Sequence, residues 1–266
     1  MSIRKFLFRS AINADMFLAA SSILRQSSGK SETVFFPGCS LTGYNPEYVF
    51  AVRDYVIGNL GSCGIFTACC AKPLKLMGET KLFTKRIDSV RRRLDAMNAR
   101  TIITACQTCN NILRQYDKDR EILSLWPLIA KHGLPERLRG KFSGLDASIQ
   151  DSCTSPPEIV SSVRKILAFL GVNVIEFPLK KCCGGVQTLT TCDSRYGRKC
   201  KIERADESPC ENIISYCAAC RSAMSLGGHN SIHILDLIFG DGESSAKNSN
   251  IYNRYITARR VRHDTV

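Results

Sequence analysis

Ten of the chain's fourteen cysteines fall in one pattern that occurs twice. The first copy is Cys39, then Cys69-Cys70, then Cys106-Gln107-Thr108-Cys109. The second is Cys153, then Cys182-Cys183-Gly184-Gly185, then Cys217-Ala218-Ala219-Cys220. Corresponding cysteines lie 114, 113 and 111 residues apart, so the offset drifts by only three residues along the copy. A fourth feature keeps the same order: Ser124-Leu125-Trp126-Pro127-Leu128-Ile129 closes the first copy and His233-Ile234-Leu235-Asp236-Leu237-Ile238 the second. The chain is therefore an internal duplication, and any fold assigned to it must be two versions of one half.

Adjacent cysteines are too close to bridge each other without strain, and packing does not require them side by side. A metal centre that draws on several thiolates does. The rival explanation is a disulfide framework in a secreted protein. No secretory signal is evident: Arg9, Asn13 and Asp15 interrupt the apolar residues of the first 28 positions. Clumps that repeat within a chain favour a reducing compartment and metal, so the expected location is cytoplasmic. The formal net charge is +13 with cysteines counted as neutral. Ten thiolates would lower it to about +3, and two four-iron cores would return it to about +7. The basic residues are spread along the chain without interleaved aromatics, which argues against nucleic acid. They leave room for an acidic electron-transfer partner or a peripheral membrane surface. No apolar run approaches the length of a membrane-spanning helix.

Four segments are expected: an N-terminal arm (1–31), a first half (32–139), a second half (140–240) and a basic C-terminal tail (241–266), polar enough to be mobile or to face a partner. A helix is expected from Phe6 to Leu24 in the arm. In the first half, strands are expected at Thr33–Phe36, Gly64–Thr67 and Thr101–Thr104. Helices are expected from Pro46, capped by Asn45, to about Asn59, over roughly Lys81–Met97, and from within the CxxC pair to Tyr116. The second half repeats the plan. Strands are expected near Ser148–Gln150, Val172–Phe177 and Asn212–Tyr216, with a helix from Pro156-Pro157 to Leu170. The linker is expected between Gly133 and Gly144. Strands alternating with helices predict an α/β fold: two related halves, each a small parallel sheet with flanking helices and a cysteine-ligated cluster at the strand carboxyl ends.

Four ligands close a zinc site, and four cysteines hold a cubane four-iron cluster, so five per half is one too many for either. The excess points to a cluster of unusual shape or to one thiolate that can leave and open an iron. Gly184 and Gly185 allow close backbone approach in the second half, whereas Ala71-Lys72-Pro73 follows the pair in the first. The two sites are thus not equivalent. The second, with Cys182 and Cys183, is the expected place of substrate chemistry, and the first the expected relay.

These motifs, complete in both copies over roughly residues 32–240, resemble the cysteine-rich CCG-domain family. That family includes the catalytic subunit of heterodisulfide reductase and the iron–sulfur subunits of glycolate, lactate and anaerobic glycerol-3-phosphate dehydrogenases. The resemblance implies two iron–sulfur clusters of the 4Fe-4S type, in the noncubane form where five cysteines serve each. One would be held by Cys39, Cys69, Cys70, Cys106 and Cys109, and the other by Cys153, Cys182, Cys183, Cys217 and Cys220. Zinc in one half is the alternative occupant that the family allows. Ala71 departs from the family motif, which has Gly. Residues 1–38 contain no cysteine, so the ferredoxin motifs that precede the first copy in many relatives are missing there. That implies a separate ferredoxin-like or flavin-containing electron-donor subunit.

The expected function is an oxidoreductase subunit moving electrons to or from a thiol/disulfide or similar acceptor. A non-catalytic electron carrier of a dehydrogenase complex and a zinc-binding structural protein are the alternatives. His233 is a candidate proton carrier or hydrogen-bond donor near the second cluster, weighed against an ordinary structural histidine. Lys180-Lys181 would lower the thiol pKa values beside them. Cys63 reads as a buried small residue and Trp126 as core. Cys192, Cys200 and Cys210 read as free thiols, with a small third site as the alternative.

Overall fold

The computed structural model describes residue 21, residues 23–245 and residues 248–264. The helix expected over Phe6–Leu24 lies almost wholly outside the described residues. The chain forms two compact units: residues 1–123 with 247–266, and residues 124–246.

In the first unit, β1 (Thr33–Phe36) is followed by α1 (Gly38–Tyr44), α2 (Pro46–Leu60), β2 (Gly64–Ile65), α3 (Lys72–Leu76), α4 (Thr80–Ala96), β3 (Thr101–Thr104), α5 (Gln107–Tyr116) and β4 (Glu121–Ser124). The sheet order is β2-β1-β3-β4, with β1 parallel to both β2 and β3. Val34, Phe35 and Phe36 are fully buried, as a parallel strand covered on both faces requires. The Asn45 side chain accepts the Glu47 N–H at 2.9 Å and Pro46 opens α2, so the sequence signals for that helix start are met. Helix α4 buries Phe83, Ile87, Val90 and Leu94, one stripe at helical spacing. Each such burial is worth about 1.5–3 kcal/mol.

The second unit opens with α6 (Leu125–His132) and continues through β5 (Asp146–Gln150), α7 (Pro157–Leu170), β6 (Asn173–Val174), α8 (Gln187–Cys192), α9 (Ser194–Asp206), β7 (Asn212–Ser215), α10 (Ala218–Met224), β8 (Asn230–His233) and α11 (Ile234–Phe239). Its sheet order, β6-β5-β7-β8, repeats that of the first unit, and every pair is parallel. Pro157 opens α7, and Gly171 at φ +83° ends it. Trp126 is fully buried against Tyr216, with ring centroids 5.9 Å apart, as its core assignment required.

Three sequence expectations change. The second-half strand expected over Val172–Phe177 pairs only at Asn173 and Val174. The linker region belongs to the second unit: the Gly140 and Phe142 amides donate to the Phe169 and Leu170 carbonyls at the end of α7. The tail is not free. It forms α12 (Asn250–Arg262), started by Ser249, and completes the first unit by packing on α1 and α2. Asn253 donates to the Gly43 and Tyr44 carbonyls (3.1 and 2.9 Å), and Thr257 to the Thr42 carbonyl (3.2 Å). Those are the orphan acceptors of the last turn of α1.

Candidate metal centres

In each sheet the first strand of the unit lies beside the third, with its second strand on the other side. The chain therefore leaves the two central strands in opposite directions, a topological switch point where α/β sheets place their functional groups. Cys39 follows β1, and Cys106 and Cys109 follow β3. In the second unit Cys153 follows β5, and Cys217 and Cys220 follow β7. The adjacent pairs arrive on the loops after β2 and β6. Cys106 and Cys217 sit at the N-cap positions of α5 and α10, where unpaired N–H groups and the helix dipole favour sulfur anions.

The first unit brings all five expected cysteines together. Cys39 neighbours Cys69, Cys69 neighbours Cys70, Cys70 neighbours Cys109, and Cys109 neighbours Cys106, each close enough to shift the ionisation of the next. Cys70 and Cys109 are core residues, packed with Phe36, Phe66, Leu74 and Phe83. Hydrogen bonds received from Cys109 and Cys69 bring the Cys70 thiol down to about 5. Cys39 is pushed well up, because it donates to Cys69 and because it is buried. Cys69 rises to about 12: the bond from Cys39 lowers it, but donation to Cys70 and burial outweigh that. The carbonyl of Cys39 accepts from Arg254 Nε at 3.0 Å, so α12 is tied to the residue that supplies the first sulfur.

In the second unit four of the five join in the same way. Cys183 Sγ lies 3.1 Å from Cys220 Sγ, with Cys182 beside the first and Cys217 beside the second, each shifting its neighbour's ionisation. Cys183 is lowered to about 3, first by the Cys182 thiol and then by Cys220; Cys182, as donor, is raised. Cys153 acts on Cys182 only through its charge, and both Cys153 and Cys182 are exposed. The expected effect of Lys180-Lys181 is not what moves these thiols. Lys181 is paired with Glu207 at 2.5 Å, Lys180 Nζ donates to the Ser155 carbonyl, and the neighbouring sulfurs dominate.

The departure at Ala71 has a geometric answer. Ala71 and Gly184 are corresponding residues, and both adopt the left-handed backbone, at φ +58° and +66°. The turn after the cysteine pair is therefore common to the two halves, and in the first it is held by a residue with a Cβ. That costs about 1 kcal/mol. The next residue of the second copy, Gly185, also has no room for a side chain: a Cβ there would sit 2.9 Å from the Ala219 carbonyl oxygen and 3.1 Å from Cys183 Sγ. Gly38 plays the same part in the first unit, where a Cβ would meet Cys109 Sγ at 3.1 Å.

Several residues that hold the second site are not marked by any motif. Arg204, nearly fully buried, donates from Nε to Gln150 Oε1 (2.7 Å), pairs with Glu207, and lies 4.0 Å over the Phe177 ring. Gln150 in turn donates to the Lys181 carbonyl at 3.1 Å, immediately before Cys182. Tyr216 donates its hydroxyl proton to Asp151 (3.0 Å) and accepts the Ser152 N–H (3.2 Å), which ties the Cys153 loop to the residue before Cys217. Arg164 grips Asp151 with both nitrogens and Glu176 besides. Adjacency to Cys217 is the only sequence signal that singles out Tyr216.

His233 lies at the carboxyl end of β8 and caps α11. Its Nδ1 accepts the Leu235 N–H (3.2 Å) and its own N–H donates to Asp236 (2.7 Å). Burial lowers it to about 4, so the ring is neutral at pH 7. Cys63 is fully buried, as expected of a small core residue. Cys192 is exposed, Cys200 partly buried beside Gly184, and Cys210 buried. Among the described residues no three metal-ligating side chains converge on a single point to form a mononuclear site.

What fits a metal is the donor set. Five neighbouring thiols, two of them in an apolar core, cannot all ionise without nearby positive charge, because burial and mutual repulsion both oppose it. Several metal ions bridged together would supply that charge to all of them, and the glycine-walled space beside Cys109 and Cys183 leaves the sulfurs approachable. Cys39, Cys69, Cys70, Cys106 and Cys109 would hold one group. Cys182, Cys183, Cys217 and Cys220, with Cys153 after a loop movement, would hold the other.

The cysteine-rich domain model designated CCG matches residues 33–114 and 147–225. No curated protein matches the chain. Among solved structures, it has low similarity to a proposed Asp/Glu racemase from Yersinia pestis (10% identity, 87% of this chain, 99% of that one, TM-score 0.35). A glutamate racemase from Bacillus anthracis is comparable (13% identity, 88% and 82%, TM-score 0.31). So is a solute-binding protein of an ABC transporter system from Conexibacter woesei (9% identity, 83% and 72%, TM-score 0.31). Likeness at this level carries no functional argument. The two family matches fall on the two sheets and on the two cysteine sets, and the chain belongs to the CCG cysteine-rich domain family, carrying its domain twice.

Proposed function

We propose that this chain is an iron–sulfur oxidoreductase subunit, similar to heterodisulfide reductase, that moves electrons to or from a thiol/disulfide or related acceptor. The observation that carries this reading is the pair of cysteine sets at matching switch points, one of them a continuous run of five neighbouring thiols with Cys70 and Cys109 buried. Clusters of the four-iron type would supply one-electron steps at each site. Reduction of a disulfide consumes two electrons and two protons and releases two thiols, so two sites suit it. Exposure supports giving them different tasks. Cys153 and Cys182 are open to solvent, where an acceptor could approach, whereas Cys70 and Cys109 are shut inside the core of the first unit. The first unit then relays electrons and the second meets substrate. His233, neutral and held by the α11 cap, positions the carboxyl end of β8; its expected proton-carrying role would have to use Nε2. A separate ferredoxin-like or flavin-containing subunit supplies the electrons.

The alternative within the same chemistry is a carrier that passes electrons on without touching substrate. Anaerobically purified protein, reduced chemically and offered a panel of low-molecular-weight disulfides, separates the two. Stoichiometric thiol release that disappears in Cys182→Ser supports the reductase. Spectroscopic cycling of both sites with no thiol released by any disulfide makes the chain a carrier.

A further inference from the structure

The first unit contains a cavity of ≈ 830 Å³ with no cysteine in its lining, which includes Arg25, Arg93, Arg259, Arg262, His263 and Tyr255. Three elements build it: the segment leading to β1, α4, and the C-terminal helix α12. Among the described residues no carboxylate lines it. Among the described residues none of these four arginines pairs with a carboxylate. Arg25 Nη1 instead donates to Ser89 Oγ and Arg93 Nε to Ser27 Oγ, each at 2.7 Å, so neutral hydroxyls orient them. The acid next to His263, Asp264, is taken by Arg53 at 2.5 Å. The Arg25 guanidinium is destabilised first by partial burial and then by Arg86, Arg93 and Arg92, the signature of cations crowded without a counterion.

Three of the four arginines are exposed, so water tolerates the cluster, but together they offer an anion a concentrated positive field. Guanidinium forks match phosphate oxygens bidentately. The volume lies within the range of small-ligand sites, about 300–1,000 Å³. Four cations balance the three to four negative charges of a pyrophosphate or triphosphate group, and the exposed Tyr255 ring offers a face to an organic moiety. We propose that this cavity binds a small organic anion with two or more linked phosphoryl groups, of the nucleoside di- or triphosphate class. The site lies outside the cysteine chemistry, so its test does not depend on that reading.

Isothermal titration calorimetry on the full chain at about 0.15 M salt tests it, a concentration at which diffuse attraction is screened beyond roughly 8 Å. ADP, pyrophosphate, AMP and sulfate are the probes, at matched ionic strength. The expected result is one ADP or pyrophosphate per chain, with AMP and sulfate at least tenfold weaker. The Arg259→Ala/Arg262→Ala variant should weaken ADP by tenfold or more, and Arg93→Ala should do so independently. Arg93, Arg259 and Arg262 are all exposed, so these variants keep the fold, which unchanged far-ultraviolet circular dichroism would verify. The proposal is overturned if sulfate binds as well as ADP, if neither variant moves ADP affinity, or if polyglutamate binds while ADP and pyrophosphate do not. The last outcome would assign the surface to an acidic protein.

Discussion

Arg204→Ala should destabilise the second unit by about 3–5 kcal/mol, because three interactions are lost at one buried point. Gln150 is almost fully buried, and its Oε1 accepts from Arg204 Nε at 2.7 Å. Leaving that acceptor without a partner costs about 1–3 kcal/mol. The guanidinium 4.0 Å over the Phe177 ring is a desolvated cation–π contact worth about 2 kcal/mol. The ion pair with Glu207 contributes less than about 1 kcal/mol, since that carboxylate keeps Lys181. Urea unfolding of the reduced, metal-free chain, followed by tryptophan fluorescence, reads this directly. Trp126 is the only tryptophan and lies in the second unit. Arg204→Lys keeps the charge but not the Nε donor and should cost about half as much. Pairing Arg204→Met with Gln150→Leu removes donor and acceptor together, so the double variant should lose about 1–2 kcal/mol less than the two singles combined. A loss below about 1 kcal/mol for Arg204→Ala, or additive singles, would refute the claim that this network braces the Cys182-Cys183 loop.

Ala71→Gly relieves a left-handed alanine and should stabilise the first unit by roughly 0.5–1 kcal/mol in thermal unfolding by circular dichroism; destabilisation would contradict the shared turn. Asn253→Leu removes the bonds that satisfy the Gly43 and Tyr44 carbonyls and should loosen α12, detected as faster amide exchange over residues 250–262 with that over α7 unchanged. His233 is held near 4 in the folded protein against about 6.5 unfolded. The unfolded chain takes up the proton that the folded one refuses, so stability present above pH 6.5 falls on the way to pH 4, by on the order of 3 kcal/mol. His233→Asn keeps a cap acceptor and should flatten that part of the pH profile relative to the parent; an unchanged slope would place the titration elsewhere.

Much of this molecule is legible in its sequence because the signals are local. Asn45-Pro46, Pro157 and Gly171 mark helix ends, and Phe83, Ile87, Val90 and Leu94 trace one helix face. The duplicated spacing then fixes two like sheets with cysteines after their strands. What escaped is held by contacts between segments remote in sequence. Helix α12 reads as a polar tail because it docks through Asn253 and Thr257, which bond the backbone of α1, more than through an apolar stripe. Arg204 sits on a polar helix, and nothing local separates it from the other basic residues. β4 and β8 are outermost in their sheets, and their sequences, EILS and NSIH, lack the apolar run that marks β1. Ala71 looked like a lost motif residue, yet its backbone keeps the conformation of Gly184. The thiol relay of the first unit was legible as a set of residues but not as a chain of contacts. Nor did spacing distinguish the enclosed first set from the exposed Cys153 and Cys182 of the second.

The most direct test of the account is the metal and sulfide content of anaerobically purified protein, for the parent chain and for two variants. The parent should be brown, with about eight iron atoms and comparable acid-labile sulfide per chain. Cys70→Ala and Cys183→Ala should each lose about half of both, from different units. A colourless protein containing zinc without iron, or a Cys183→Ala variant that retains all of its iron, would contradict it.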